Sequence, residues 1–197
     1  MKTITRDTKQ HILATGYQLI SAKGFVAVGL SEILNAADIP KGSFYHYFKS
    51  KEQFGEALIQ HYFDDYKLRL NQLFHANEEN AYTKMHRYWQ SWLTSQSHSC
   101  SSQKCLVVKL SAEVSDLSEP MRLSLFKGTQ LVQRALSDCI KQGIADNSIQ
   151  QVNADDTAKL LYNLWIGASL MTKLSKDDSS LKQAMSITES MLNNAKQ

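Results

Sequence analysis

The scarcity of proline is the feature that most constrains this chain, which has only two prolines among 197 residues. Proline lacks a backbone N–H and clashes with the preceding helical turn, so it is excluded from helix interiors but accepted in a first turn. Pro40 and Pro120 both stand where a helix can begin. Because there are also only eight glycines, we expect long uninterrupted helices and an all-α fold.

Three short helices are predicted in the first quarter of the chain. A helical apolar pattern ends at Gly24, which suits the position just after a helix. Gly29 suits the N-cap of a second helix, and Asp38-Ile39 form a tight turn before the helix that Pro40 opens. The first two helices are expected at residues 6–23 and 30–37. Together the three predict an N-terminal helix-turn-helix unit.

The third predicted helix has one apolar and one polar face. Phe44, Tyr47 and Phe48 recur at helical spacing and predict the face that packs on the core. The opposite face carries hydrogen-bond donors from Lys41, Ser43, Tyr45 and His46. A short helix that is anchored by aromatic rings and presents donors has what is needed to read a DNA groove. The plainest alternative is an exposed polar surface on a small helical bundle.

Positive charge is concentrated in the same region. Residues 1–51 hold seven Lys and Arg against three Asp and Glu, whereas residues 52–197 hold 15 against 16. The potential that attracts phosphates therefore lies in the first quarter, although the whole chain has a formal net charge of only +3. Since charge, helix pattern and residue types agree, we favour DNA binding over the plain polar surface.

The rest of the chain is also predicted to be helical. Ser50 suits the N-cap of a fourth helix of about two dozen residues, and further apolar stripes continue almost to the C-terminus. Two of these stripes, at residues 121–139 and 161–171, suit a four-helix dimer interface. We therefore expect a DNA-binding domain at residues 1–50 and a larger helical effector-sensing and dimerisation domain at residues 51–197.

Several other classes of protein find no support. No apolar run approaches the roughly 20 residues of a membrane span, and the N-terminus lacks a secretory apolar segment, so we expect a cytoplasmic protein. No Cys and His residues have metal-ligand spacing, and no glycine-rich phosphate loop occurs, so neither a metal nor a cofactor is expected. Three cysteines, an odd number, do not suggest a disulfide framework.

Three stretches in the first quarter of the chain form a specific pattern. They are Gly24-Phe25, Ser31-Glu-Ile33 and Lys41-Gly-Ser-Phe-Tyr-His-Tyr-Phe-Lys-Ser-Lys51. Residues 6–55, which contain it, resemble the DNA-binding domain of TetR-family transcriptional regulators. The resemblance implies a homodimer that binds a palindromic operator in double-stranded DNA and responds to a small-molecule or electrophile effector. It implies DNA contacts from Ser31, Lys41, Gly42, Ser43, Tyr45, His46, Tyr47 and Lys51.

Two further stretches are similar to the NemR branch of that family. They are Cys105-Leu-Val-Val-Lys-Leu-Ser-Ala-Glu-Val-Ser-Asp-Leu-Ser-Glu119, and Leu164-Trp-Ile-Gly-Ala168 followed by Lys173. That branch responds to electrophiles and oxidants through cysteine chemistry, whereas related members bind small unsaturated acids. The resemblance implies that Cys105 is the redox-sensing residue and that Lys173 lies near it. We therefore predict a repressor that releases DNA when Cys105 is modified.

The surroundings of Cys105 also favour reactivity. Lys104 is adjacent, Lys109 is one turn further, and a helix is expected to begin at this point, all of which stabilise a thiolate. On the residues alone, a small buried hydrophobe is the favoured alternative. Cys100 is a candidate to resolve an oxidised Cys105, whereas Cys139 lies on an apolar stripe and is expected to pack.

Two further hypotheses concern the larger domain. An aromatic set is a possible effector pocket, although plain core is the commoner role of such sets; it comprises Trp89, Trp92, Phe126, Tyr162 and Trp165. A repressor released by a non-covalent ligand is therefore the main alternative. An enzyme with Cys105 as nucleophile is the weaker one, because only His98 is near in sequence as a general base. Glu113 and Asp116 are expected to be solvated or to cap a helix, not to act in catalysis.

Overall fold

The computed structural model describes residues 2–75, 78–97 and 106–194, and nine α-helices lie in this part of the chain. They are α1 (Lys2–Lys23), α2 (Leu30–Ala36), α3 (Lys41–Tyr47), α4 (Lys51–His75), α5 (Ala81–Ser97), α6 (Leu106–Ser115), α7 (Glu119–Ala145), α8 (Ala154–Ser175) and α9 (Ser179–Leu192). An isolated antiparallel bridge joins Ile149 and Asn193. The prediction of an all-α fold is confirmed. None of the described helices has the length and apolar character that crossing a membrane requires.

The chain packs as two compact units. The first unit comprises Met1–Asp65 and Lys104–Gly128, and the second comprises Tyr66–Gln103 and Thr129–Gln197. The helix-turn-helix therefore shares its unit with the first part of α4, with α6 and with the start of α7. The functional boundary after residue 50 stays a prediction, since packing and function need not divide a chain at the same place.

Local capping signals define the helices of the first unit. Gly24 ends α1 with φ +95°, a left-handed conformation that favours glycine. Gly29 is the N-cap of α2, as predicted. At the start of α4, the Gln53 N–H donates to Ser50 Oγ over 3.1 Å, and the Lys49 N–H donates to Gln53 Oε1 over 2.6 Å. This reciprocal pair satisfies two backbone donors that the helix itself leaves free.

The second unit is built around stacked indoles. The rings of Trp89 on α5 and Trp165 on α8 stack with centroids 4.9 Å apart, and both side chains are fully buried. The Trp165 Nε1–H donates to Thr188 Oγ1 on α9, and the Trp92 Nε1–H donates to Ser169 Oγ on α8, each over 2.9 Å. Buried indole N–H groups that find such partners fix the register of the packed helices.

The predicted dimer stripe on α7 is buried within the chain and is not available to a partner. Its residues are at most 5% exposed; they are Met121, Leu125, Val132, Leu136 and Cys139. The stripe predicted on α8 is buried at Leu161, Trp165 and Ala168, whereas its last member, Met171, is 50% exposed. The exposed apolar stripe of α8 consists of Leu160, Leu170, Met171 and Leu174. Helical spacing identified an apolar face, but it did not distinguish core from surface.

Candidate DNA-binding site and sensing residues

A short, well-defined turn joins α2 to α3. Asp38 adopts a left-handed conformation with φ 50°, and the Ile39 N–H donates to Leu34 O over 3.1 Å. His11 Nε2 on α1 lies 3.0 Å from Ala37 O, at the end of α2. These contacts bind the turn and the end of α2 to α2 itself and to α1.

An aromatic cluster holds α3 in place. The Phe44 side chain is fully buried, and its ring centroid lies 5.2 Å from that of Phe48 and 5.5 Å from that of Phe54 on α4. The backbone of Phe48 is extended (φ −135°, ψ 120°) and ends the helix after two turns. Such a cluster is worth several kcal/mol of buried apolar area, so a seven-residue helix that would not be stable alone is kept folded.

The opposite face of α3 presents the predicted DNA-contacting residues to solvent. Lys41, Gly42, Tyr45 and His46 are exposed, and Ser43 and Tyr47 are half-buried. The Lys41 ammonium lies 5.8 Å from the centroid of the Tyr45 ring. No atom lies within 4 Å of the Cβ that a substitution would add at Gly42, so the backbone there is open to close approach. On α2, Ser31 is also exposed. Contact of these residues with DNA stays a prediction.

Lys51 has a different environment from the other predicted DNA contacts. Its ammonium donates to Phe25 O over 2.8 Å and lies 4.5 Å from the centroid of the Phe25 ring. Burial lowers the pKa of Lys51, and the nearby Glu113 carboxylate partly opposes this shift. Lys51 therefore holds the turn after α1, a role that sequence reasoning did not anticipate, and its phosphate contact stays a prediction.

Glu113 on α6 makes a second contact with that turn. Its Oε2 accepts a hydrogen bond from the Val26 N–H over 3.0 Å. We expected Glu113 to be solvated or to cap a helix; it does accept from a backbone donor, but one 87 positions earlier in the chain. No periodicity or local motif signals a pairing of this kind.

The predicted sensing residues are only partly described. Cys105, Cys100, Lys104 and His98 lie outside the described residues, and α6 begins at Leu106, directly after Cys105. Lys173 lies in the last turn of α8 with its side chain exposed. The pairing of Cys105 with Lys173 stays a prediction.

Cys139, the third cysteine, is a packing residue. It is 2% exposed, and its Sγ lies 3.7 Å from Ala81 O. Burial raises the pKa of its thiol to about 12. The reactive thiolate is therefore almost absent at neutral pH, which confirms the expectation that Cys139 packs.

The five residues predicted for an effector pocket do not all belong to the same unit. Trp89, Trp92, Tyr162 and Trp165 pack together in the second unit, with the Tyr162 ring centroid 5.8 Å from that of Trp92. Phe126 belongs to the first unit and is 53% exposed. The Nε1–H of Trp89 is buried and has no acceptor among the described residues. Whether this cluster binds an effector stays a prediction.

Metal ligands are not grouped in the described part of the chain. No three His, Cys, Asp or Glu side chains there are placed to hold a metal ion. The chemistry available at the exposed face of α3 is hydrogen bonding and charge, which suits recognition of a nucleic acid.

Comparisons with known proteins agree with this assignment. Residues 12–64 match the model of bacterial regulatory proteins, tetR family, and residues 81–188 match the tetracyclin repressor-like C-terminal domain. The transcriptional repressor NemR of Escherichia coli strain K12 is 39% identical over 192 residues, which cover 97% of this chain and 96% of that protein. The repressor DhaR of Mycobacterium sp. strain GP1 is 30% identical over 180 residues, covering 91% and 89%. A crystal structure of reduced E. coli NemR superposes with a TM-score of 0.91 and 40% identity, covering 97% of this chain and 100% of that one.

The helix-turn-helix and the exposed polar face of α3 define a DNA-binding regulator. The N-terminal part of the chain matches the tetR-family model, and the C-terminal part matches the tetracyclin repressor-like model. The similarity to NemR spans almost the full length of the chain. The chain belongs to the TetR family of bacterial regulatory proteins, and it is a transcriptional repressor with an N-terminal helix-turn-helix and a C-terminal helical domain.

Proposed function

We propose that this repressor binds a palindromic operator as a homodimer and is released when an electrophile or oxidant modifies Cys105. The observation that carries the DNA-binding part is the exposed face of α3, which is held on Phe44 and presents Lys41, Tyr45 and His46 together. Lysine and histidine donors reach base edges or phosphates, and Ser31, Ser43 and Tyr47 add contacts that fix the orientation of the helix.

Substitutions on α3 test the DNA-binding part. The wild-type protein would first select its operator from random-sequence duplexes, and fluorescence anisotropy would then measure Kd for the selected duplex. Lys41→Ala or His46→Ala should each weaken binding by roughly 5- to 150-fold if a base contact is lost. Lys67→Ala, at an exposed position of α4 outside the helix-turn-helix, is the matched control. Wild-type affinity in both α3 variants would refute this assignment.

The homodimer is proposed to form on the exposed apolar stripe of α8. Leu160, Leu170 and Met171 are 50–55% exposed and Leu174 is 70% exposed, which is unfavourable in water unless a second copy covers them. A two-fold dimer would place two α3 helices in successive major grooves, about 34–36 Å apart. In sedimentation experiments Leu174→Asp should shift the protein towards monomer. Leu68→Asp, at a leucine of α4 that is 60% exposed, should not.

The sensing part rests on three considerations. α6 starts at the residue after Cys105, and a thiolate is stabilised where it lies at a helix N-terminus. The similar crystal structure of E. coli NemR is of that protein's reduced form. A cationic Lys173 near the thiol would lower its pKa further. The thiolate would add to an electrophilic alkene, forming an S–C bond, while the neighbouring carbon takes a proton from water.

DNA release by N-ethylmaleimide tests the sensing part. The reagent should raise the operator Kd of the wild type and of Cys100→Ser, but not that of Cys105→Ser. Lys173→Met should slow the modification of Cys105, which mass spectrometry of peptides would follow. Equal release of DNA by wild type and Cys105→Ser would refute the role of Cys105.

A repressor released by a non-covalent ligand is the second candidate. The observation that favours it is the buried Trp89 N–H without an acceptor, which lies in a cluster of aromatic rings. A ligand with a carbonyl or carboxylate oxygen would supply the missing acceptor. Such a ligand should quench tryptophan fluorescence and release DNA from Cys105→Ser as well as from wild type. We propose no enzymatic role, since the relatives are regulators and a thiol nucleophile would also need a general base.

A further inference from the structure

The turn that joins α1 to α2 is held by the helix that follows Cys105. Glu113 Oε2 accepts from the Val26 N–H over 3.0 Å. The same carboxylate lies against the backbone of Gly24, where an added Cβ would sit 2.3 Å from Glu113 Oε1. Only glycine therefore leaves room for this approach, and its φ of +95° lies in the left-handed region that favours glycine.

The side chain one helical turn earlier on α6 contacts the end of α1. The Lys109 ammonium donates to Ala22 O over 3.3 Å. Ala22 is in the last turn of α1, where carbonyl groups lack partners within the helix and the helix dipole is negative. Lys109 and Glu113 are four positions apart and so lie on one face of α6. That face supplies a cation to the carbonyl end of α1 and an anion to the N–H groups that follow.

The same turn is also held by α4 and α7. Lys51 on α4 donates to Phe25 O over 2.8 Å. A Cβ at Gly55 on α4 would meet the Phe25 ring at 2.6 Å and the Met121 methyl group of α7 at 2.7 Å, so these elements are in close contact around Phe25. Residues 22–26 therefore connect α6 to the helix-turn-helix through bonds and packing that allow little relative movement.

We propose that Glu113, supported by Lys109, is the positioning residue that couples α6 to the helix-turn-helix, so that a change at the start of α6 alters the placement of α2 and α3. This inference rests on the proposed sensing function, because Cys105 immediately precedes α6. We call the Glu113–Val26 and Lys109–Ala22 contacts the turn clasp. Without the clasp, α6 moves without displacing residues 22–26, and the signal is not passed on.

The first test measures how strongly modification is coupled to DNA release. The quantity is the ratio of operator Kd after and before treatment with N-ethylmaleimide, measured with the duplex that the wild type selects. Glu113→Ala should lower this ratio by about five- to tenfold, as expected for a lost charge-assisted hydrogen bond at a solvent-accessible site. Glu113→Gln keeps an oxygen acceptor for Val26 and should keep most of the ratio. A purely structural role would reduce the folded fraction but leave the ratio of the folded protein unchanged.

Asp116→Ala is the matched control, since Asp116 is an exposed acid close to the end of α6. It removes the same charge without touching the clasp and should keep the wild-type ratio. A wild-type ratio in Glu113→Ala, or an equal loss in Asp116→Ala, would overturn the proposal.

The second test needs no effector. Coupling free energies are reciprocal, so operator binding should slow amide hydrogen exchange in α6 as well as in α2 and α3. Glu113→Ala should keep the protection of α2 and α3 but lose that of α6. If α6 is not protected in the wild type, or stays protected in Glu113→Ala, the proposal fails. Should the wild type not release DNA on treatment, the proposed sensing function fails, and this exchange measurement still decides whether Glu113 couples the two elements.

Discussion

Replacing Gly24 by alanine perturbs the turn clasp through the backbone of the turn, and not through Glu113 itself. The substitution adds one methyl group at a backbone position with φ +95°, where side chains are strained. The added Cβ would lie 2.3 Å from Glu113 Oε1, so the carboxylate must move away and its bond to the Val26 N–H is weakened or lost. Gly24→Ala therefore combines a backbone effect with a loss of one long-range contact.

The two contributions have different sizes. A non-glycine residue at this φ costs about 1–3 kcal/mol of folding free energy. A hydrogen bond to a charged group is worth about 1.5–3 kcal/mol when buried, but Val26 is 64% exposed, so solvent reduces the expected loss to about 1 kcal/mol. We expect Gly24→Ala to destabilise the protein by about 2–4 kcal/mol in total.

A double-mutant cycle with Glu113→Ala separates the two contributions. In the Glu113→Ala background the contact is already absent, so Gly24→Ala should cost only its backbone part, about 1 kcal/mol less than in the wild type. Urea unfolding followed by circular dichroism gives the four free energies. All four proteins must be compared at one concentration, since dimerisation shifts apparent stability by mass action.

The cycle has a clear refuting result. If Gly24→Ala costs the same in both backgrounds within about 0.3 kcal/mol, the carboxylate and the turn are not energetically coupled in solution. If Gly24→Ala costs nothing in the wild type, Gly24 does not hold a φ of +95° in solution.

Three further predictions concern other parts of the chain. Gly128→Ala should destabilise by about 1–3 kcal/mol in urea unfolding, because its Cβ would lie 2.0 Å from the Phe63 ring, whereas Gly42→Ala, with open space around it, should be neutral or stabilising. Cys139, with a pKa of about 12, should resist N-ethylmaleimide at pH 7, where roughly one thiol in 10⁵ is ionised, and should react in urea; labelling in the native protein would contradict its burial. Burial raises the pKa of Asp146, but hydrogen bonds from Ser148 and Ala81 outweigh it and leave the pKa lowered. Its stabilising contribution is therefore present above its ordinary pKa of 3.8 and is lost as pH falls through the folded-state pKa, and Asp146→Asn should flatten the acid side of the stability profile.

The parts of the fold that depend on neighbours in sequence were predictable. The left-handed end of α1 at Gly24, the N-cap at Gly29 and the cap of α4 at Ser50 each follow from one residue type at one position. The exposed and buried faces of α3 follow from the spacing of Phe44 and Phe48. Helix ends were less accurate: α1 begins at Lys2 and not at residue 6, and α2 ends at Ala36 and not at residue 37. The position of a helix end depends on a small difference in free energy between continuing the helix and capping it. Tertiary contacts easily change that difference.

The choice between core and surface was not predictable for the long helices. An apolar stripe on α7 satisfied the same periodicity as a dimer face, yet Met121 and Leu136 are fully buried in the chain. On α8 the exposed leucines at 160 and 174 lie beside the buried Trp165, so the helix is apolar around much of its circumference. The sequence of such a helix does not say which apolar stripe packs against its own chain and which stays exposed.

Long-range polar partners were the least predictable feature. The resemblance to TetR-family regulators implied a DNA contact for Lys51, but its bond to Phe25 depends on α4 crossing the turn after α1. Glu113 lies 87 positions from Val26, and only the folding of α6 beside α1 brings them together. A recognition helix can be inferred from local chemistry because it must present a surface to DNA whatever signal it obeys. The contacts that couple such a helix to a sensor are specific to one packing arrangement, and so they become visible only once that arrangement is known.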